Sequence, residues 1–412
     1  MTMSRADLAR LDADDPLAAR RADFALPDGV IYLDGNSLGA LPRATGRRLA
    51  EVVGHEWGEG LIRSWNQAGW IDLGVRVATK IGHLIGAAAG EVAVADSTSI
   101  NLYKLLAAAI GLRPGRRTVL TEEGNFPTDI YIAEGLLGQL GPDYRLRRVP
   151  AARIGAAVDD DTAVVMLTHV NYLTGAMHDA TALTRAAQAR GALMLWDLSH
   201  SAGALPVDLG AAGADLAVGC GYKYLNGGPG APAWLYVAAR HHAGFRQPLS
   251  GWLGHAEPFA FEDGYRPAPG IARAICGTPP ILSLAALECG VDTFAGMDMG
   301  ALRAKSMRMG DLFIALVEDA CAGQGLTLAS PREATRRGSQ VSFRHGQGYA
   351  AMQALIARGV IGDFREPDVM RFGFAPLYLR YVDLWDAAEA LREVLVSRAY
   401  DRLEHRQRAA VT

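Results

Sequence analysis

The chain has 412 residues, 50% of them hydrophobic, with 41 basic and 44 acidic side chains and a formal net charge of -3; that length implies one large domain plus a smaller one. Balanced charge provides no field to draw in nucleic acid or an anionic membrane, and no stretch approaches the roughly 20 apolar residues that cross a bilayer. Cys220, Cys276, Cys289 and Cys321 are scattered without Cys-x-x-Cys spacing, and the Asp- and Arg-rich start has no signal-peptide core, which argues against a zinc site, a disulfide framework and secretion and for a soluble, cytoplasmic protein with free thiols.

Taken in chain order, residues 5–21 read as a polar helix, and Ile31-Tyr32-Leu33 as a short strand leading into Asp34-Gly35-Asn36-Ser37. Between Arg47 and Gly86 apolar residues fall at helical spacing, interrupted by an aromatic-rich loop around Trp65 to Trp70. From about Glu91 to Ala238 short apolar runs alternate with amphipathic stretches: 91–94, 118–120, 163–167, 193–196, 216–219 and 233–236. Strands with little internal alternation, separated by helices, predict a mostly parallel sheet covered on both faces. After Gly290, long helical patterns and strands such as Gln340-Val341-Ser342-Phe343 predict a smaller α+β domain. The expected division is an N-terminal segment, 1–50, packing with the small domain; a large ligand-binding α/β domain, 51–290; and the small domain, 291–412. The sequence shows neither an internal repeat nor a low-complexity linker.

Ligands of such sheets lie outside the carboxyl ends of the strands, where Thr168, Asp197 and Lys223 follow three of the apolar runs. A lysine closing a hydrophobic strand is unusual, because an isolated ammonium is costly to bury. With an aspartate ending the neighbouring strand it acquires a purpose: pyridoxal phosphate needs an amine to hold its aldehyde as a Schiff base and a carboxylate to keep its pyridine nitrogen protonated. Asp96-Ser97-Thr98-Ser99 precedes a helical run, so Thr98 and Ser99 can cap that helix and hold a phosphate, although such residues are also ordinary N-caps. Phe126-Pro127-Thr128-Asp129 places an aromatic face beside a carboxylate, suited to a flat heteroaromatic ring or to a plain turn with a core phenylalanine. His200 either bonds the phosphate or satisfies a core contact. Tyr222 and Tyr224 flank Lys223, and Asn226-Gly227-Gly228-Pro229-Gly230 follows, a glycine density that admits close backbone approach to a ligand. Neither the phosphate-loop pattern nor a dinucleotide fingerprint is present.

These residues sit within longer motifs that, together, resemble the kynureninase family: residues 32–39 (YLDGNSLG), 99–102 (SINL), 126–129 (FPTD), 172–175 (YLTG), 196–203 (WDLSHSAG), 222–228 (YKYLNGG), 251–255 (GWLGH), 277–280 (GTPP) and 371–378 (RFGFAPLY). The resemblance implies a fold-type I pyridoxal-phosphate homodimer that hydrolyses L-kynurenine to anthranilate and L-alanine in tryptophan catabolism. By position it makes Lys223 the Schiff-base lysine, Asp197 the partner of the pyridine nitrogen and Phe126 the stacking ring. Thr98, Ser99, His200 and Tyr222 become phosphate ligands, with Trp252 and Thr278 reaching across from the second subunit. Thr168 and Asp129 would contact the ring edge, Arg371 would clamp the substrate carboxylate in a bidentate fork, and Tyr222 would protonate the alanine fragment. His55 either matches the family histidine that this resemblance puts near the aryl ring or is a helix-face histidine packed structurally, and threonine at 278 leans toward unsubstituted kynurenine over its 3-hydroxylated form.

Two rival readings share the cofactor constellation or the scaffold. One is another fold-type I enzyme, an aminotransferase or a cysteine desulfurase, since fold alone does not fix function; a desulfurase, however, needs an accessible nucleophilic cysteine, whereas Cys321 lies in an Ala-rich helical pattern. The other is a non-catalytic cofactor-binding regulator, disfavoured because neither terminus carries a basic helix-turn-helix pattern.

Overall fold

The computed structural model describes residues 3–408. Its centre is a seven-stranded sheet of β2 (Val92–Val94), β3 (Thr118–Glu122), β4 (Arg145–Val149), β5 (Thr162–Thr168), β6 (Leu193–Asp197), β7 (Leu216–Gly219) and β8 (Trp234–Val237), in the order β2-β8-β7-β6-β5-β3-β4. Neighbours from β7 through β4 run parallel, while β8 is antiparallel to both β7 and β2. Every residue of β3, β5, β6, β7 and β8 is buried, which is why these strands read as unbroken apolar runs. Alternate residues feed two separate cores: Val165, Leu167, Met194 and Trp196 face one, and Val164, Met166, Leu193 and Leu195 face the other, where the helix Thr98–Gly111 packs.

One strand escapes an apolar-run reading. β4 carries Arg145, Arg147 and Arg148 and is only partly buried, because it is an edge strand that pairs with β3 alone. Charged side chains on an edge deter pairing with other chains. The segment expected as an aromatic loop is also different: Ser64–Gln67 form a short helix, and Trp70 opens the long helix Trp70–Leu84, with Trp65 and Trp70 packed edge to face at 6.0 Å.

The C-terminal part centres on a four-stranded antiparallel sheet in the order β12 (Asp363–Arg365), β13 (Val369–Gly373), β10 (Gln340–Arg344) and β9 (Thr327–Leu328), packed with the helices Met299–Ala320, Gly348–Ile356 and Tyr381–Val396. The N-terminus is tied to this part at several points. β1 (Ile31–Tyr32) pairs in parallel with β11 (Val360–Ile361). Asp12 accepts from the backbone N–H groups of Tyr381 and Val382 at 2.6 and 3.0 Å, capping that helix, and Asp15 pairs with the buried ammonium of Lys305 at 2.7 Å. The helix Arg43–Glu51 instead packs on Ile281–Asp292. Among the described residues no helix is long and apolar enough to cross a membrane, and no group of three or more metal-binding side chains converges.

Candidate active site

Thr168 and Asp197 are the last residues of β5 and β6 and lie directly opposite each other across that pair of strands. Alternation turns both side chains toward the face covered by the helix Thr98–Gly111. Lys223 lies not at a strand end but four residues beyond β7, in the loop that returns to β8. Its Nζ is 3.0 Å from His200 Nε2 and 5.7 Å from the centre of the Phe126 ring. Phe126 immediately precedes the helix Pro127–Leu140, and Pro127 in the first turn sacrifices no hydrogen bond.

The electrostatics of this cluster are set by burial. Asp129 and Asp197 are held above the ordinary carboxylate range, first by loss of water; the Asp197 charge adds to the effect on Asp129, and the Lys223 charge opposes it in both. Asp197 is steadied by a 2.7 Å bond from the Ser199 backbone N–H. Burial, then the Lys223 charge, pushes His200 well below its ordinary range, so its ring is neutral. With Nε2 accepting from Lys223, the remaining proton sits on Nδ1.

The cluster is also short of partners. Thr98 Oγ1, Asp129 Oδ2, Thr168 Oγ1 and His200 Nδ1 are all buried without a hydrogen bond within the protein. Buried polar atoms are satisfied in the large majority of cases, so these orphans, three of them tied to Lys223 or to Asp197, mark a site built for a ligand. The local fold creates one of them. Ser97, not Thr98 or Ser99, caps the helix by accepting from the Ile100 N–H at 3.4 Å, and Thr98 in the first turn keeps its hydroxyl free.

The N-terminal loop completes the wall. The Gly39 N–H donates to the Tyr222 carbonyl at 2.8 Å, and a Cβ on Gly39 would lie 2.4 Å from the Lys223 carbonyl oxygen; only glycine permits this approach. Nearby, Arg371 is buried and does not present an empty fork. Nε donates to Asp363 at 2.6 Å, Nη2 to Asp363 and to Ser37 at 3.0 Å, and Nη1 to the Tyr172 carbonyl at 2.6 Å. Of five N–H donors, one on Nη1 remains among the described contacts. Asp363, which dominates this arrangement, had no signal in the sequence, since a lone aspartate after a glycine is an ordinary turn residue.

Of the remaining expected residues, three stand outside these contacts and two adjoin the cluster. His55 is in the π-helical turn Val52–Gly60, with its side chain 73% exposed and paired to Glu59 at 2.7 Å; it is neither packed nor beside the lysine. Trp252 packs against Phe259 and Phe261, and Thr278 is exposed in the loop before Ile281–Asp292. Ser99 is half-buried, as is Tyr222, whose ring centre is 6.0 Å from Lys223 Nζ.

Known proteins match this architecture over its length. Residues 302–391 match the family model described as the kynureninase C-terminal domain. A kynureninase of Burkholderia pseudomallei is 58% identical over 414 aligned residues, covering 99% of this chain and all of that protein. The chain belongs to the kynureninase family. Solved structures with the same fold include the apo cysteine desulfurase of Thermococcus onnurineus NA1 (TM-score 0.76, 18% identity, 92% of this chain and 98% of that one). Another is a C-DES mutant with glycine covalently linked to its PLP cofactor (TM-score 0.77, 15% identity, 90% and 98%). At such identities they establish the fold alone.

Proposed function

We propose that this chain hydrolyses L-kynurenine to anthranilate and L-alanine, with pyridoxal 5'-phosphate held at Lys223. Within the kynureninase family assignment, the observation that carries the site is the set of four buried, unpartnered polar atoms at the Lys223 end of the sheet. Their chemistry fits the cofactor. Thr98 Oγ1, the helix start behind it and His200 Nδ1 are donors for a phosphate, with Ser99 next in the same helix and Tyr222 beside Lys223 in the loop after β7. Asp197 supplies the carboxylate for the ring nitrogen, Phe126 a stacking face, and Thr168 and Asp129 polar contacts at the ring edge. When bound, the cofactor supplies an aldehyde that condenses with the substrate amine and a protonated ring that accepts electron density from the α-carbon.

The chain's own groups do the rest. The Lys223 amine would act as the base for the proton on the substrate α-carbon. Asp197 keeps the ring nitrogen protonated. Water enters as co-substrate at the ketone carbon, and cleavage of the adjacent carbon–carbon bond yields anthranilate. The alanine fragment then takes up a proton, which Tyr222 supplies. Arg371 contributes its charge and one unused N–H to the substrate carboxylate; a two-point grip requires Ser37 or the Tyr172 carbonyl to yield its bond. Trp252 and Thr278 on their exposed loops serve the site of a second copy in a homodimer, where His55 meets the aryl group.

The test uses purified protein supplied with pyridoxal phosphate, then L-kynurenine without a keto acid. The expected result is the visible absorbance of a lysine-bound cofactor followed by anthranilate fluorescence and an equal yield of alanine. Absorbance with intact kynurenine would leave the cofactor in place and move the assignment to another fold-type I reaction. For the desulfurase branch, Cys220 and Cys321 are buried and burial raises both thiols above their ordinary range, which leaves the half-buried Cys276 and Cys289 as the thiols such a reaction would need.

A further inference from the structure

Behind Arg371 stands a second carboxyl group with no role in the site so far. Asp34 lies in a bridge pairing with Gly373, two residues along β13 from Arg371, and its Oδ1 is buried without a partner. Asp363 faces Arg371 across β12 and β13. Its two oxygens are taken by Arg371, by Ser37 Oγ at 2.7 Å and by Arg365 at 2.9 Å. The same loop is wedged in place: a Cβ on Gly373 would lie 2.0 Å from Asn36 Oδ1, and Asn36 donates to Gln340 at 3.1 Å.

We infer that Asp34 is a positioning residue whose proton sets the charge presented to the substrate carboxylate: protonated, it leaves Arg371 and Arg365 one positive charge in excess of Asp363; ionised, it cancels that excess. The groups facing it are Asp363 and Arg365 from β12, Arg371 from β13, Tyr32 from β1, Tyr224 from the lysine loop and Tyr378. Burial first, then the Asp363 charge, pushes Asp34 up to about 7, against the opposing effects of Ser37, Arg371 and Arg365. Below that value the pocket is an anion site; above it the attraction weakens. The neutral tyrosines add no charge of their own. Carboxylate affinity therefore falls as pH rises through neutrality.

This rests on Arg371 binding the substrate carboxylate, and its test separates the two ideas. Equilibrium binding of L-alanine and of ethylamine, which lacks the carboxylate, is followed by the absorbance of the cofactor-loaded protein between about pH 6 and about pH 8.5, alongside KM for kynurenine; a coupling of one pK unit corresponds to about tenfold in affinity. In the unsubstituted protein the alanine-to-ethylamine affinity ratio is expected to fall several-fold as pH rises. In Asp34→Asn the ratio stays high and flat, with kcat little changed. In Asp363→Asn the ratio's midpoint moves to lower pH, because the repelling charge is gone; this variant keeps the test alive if Asp34→Asn does not fold. A ratio independent of pH in the unsubstituted protein, or an unchanged slope in Asp34→Asn, overturns the inference. Absence of anthranilate with the predicted alanine behaviour intact would overturn the kynurenine assignment alone.

Discussion

The carboxyl-terminal edge of the central sheet opens on two sides, and the two differ in a way that locates the chemistry. On one side Thr168, Asp129, Thr98 and His200 hold unmet hydrogen-bonding capacity at the Lys223 end of the sheet. On the other, the residues that adjoin Thr168 and Asp197 in the chain, His169 and Trp196, line a cavity of about 1140 Å³ together with Glu122, His178 and Arg303. There the polar groups are mostly paired within the protein. His178 bonds Glu122 at 3.0 Å, His169 bonds Ser201 at 2.9 Å, and the Trp196 indole N–H donates to Thr184 at 3.1 Å; Glu122 keeps one orphan oxygen. Volume alone would point to the wrong side. Unsatisfied buried polar atoms, each carrying a desolvation cost of about 1–3 kcal/mol when left alone, point to the side that awaits a ligand.

The most severe way to break this contrast is at the lysine. Lys223→Ala is expected to lower anthranilate release by at least about 10²–10⁴-fold, the span ascribed to a positioned acid–base group, and to abolish the visible absorbance of the lysine-bound cofactor. Near-normal turnover in that variant would remove the basis for placing chemistry on this side of the sheet.

A second effect is on stability. Asp129 and Asp197 have folded-state pKa values raised above their ordinary ones, so the folded cofactor-free protein holds protons that the unfolded chain has already released. For groups shifted upward, stability is present below the unfolded value and is lost as pH rises toward the folded one. The melting temperature of the cofactor-free protein should therefore decline as pH rises from the ordinary carboxylate range. Asp129→Asn should flatten the decline, and cofactor binding should offset it. A pH-independent melting temperature in the cofactor-free protein would show that the two carboxyls are not strained against burial.

Much of this was legible in the sequence, and the failures have physical causes. The buried strands announced themselves because both their faces are covered, and Asp197 and Lys223 stood out as charges next to them. β4 was missed because an edge strand selects arginines rather than apolar residues. Ser97 was passed over as the cap because capping depends on where the backbone leaves the extended region, here with Ser97 at φ -101 and ψ 164, which a run of Ser and Thr leaves undetermined. Arg371 was expected as an open fork. The structure fills that fork with Asp363, a partner eight residues away that only the antiparallel pairing of β12 and β13 brings opposite. His55, with its exposed side chain paired to Glu59, and Trp252, packed on Phe259 and Phe261, have their contacts outside the lysine cluster.

A smaller and sharper test sets the two demands on one side chain against each other. Thr168→Val removes a buried hydroxyl that has no partner in the protein, so the cofactor-free form should be as stable as before or more so, by about 1 kcal/mol. The same change should weaken cofactor affinity about fivefold to tenfold if the hydroxyl bonds the ring edge, as read by titration of the absorbance. Loss of stability without loss of affinity would make Thr168 a core residue.

The smallest expected effect on catalysis belongs to the cavity side, and for that reason it tests the comparison most directly. His178 is the partner recorded for the buried Glu122 carboxylate, so His178→Ala leaves that group without a hydrogen bond at the end of β3 and should cost about 1–3 kcal/mol of stability. Turnover at saturating cofactor should change by less than about threefold, because β3 carries no group that reaches the lysine and sub-kcal shifts in a neighbouring strand are worth no more than that in rate. If His178→Ala instead lowered kcat as far as Lys223→Ala while the protein stayed folded, the cavity would have to be part of the reaction. The two sides of the sheet edge would then be one site.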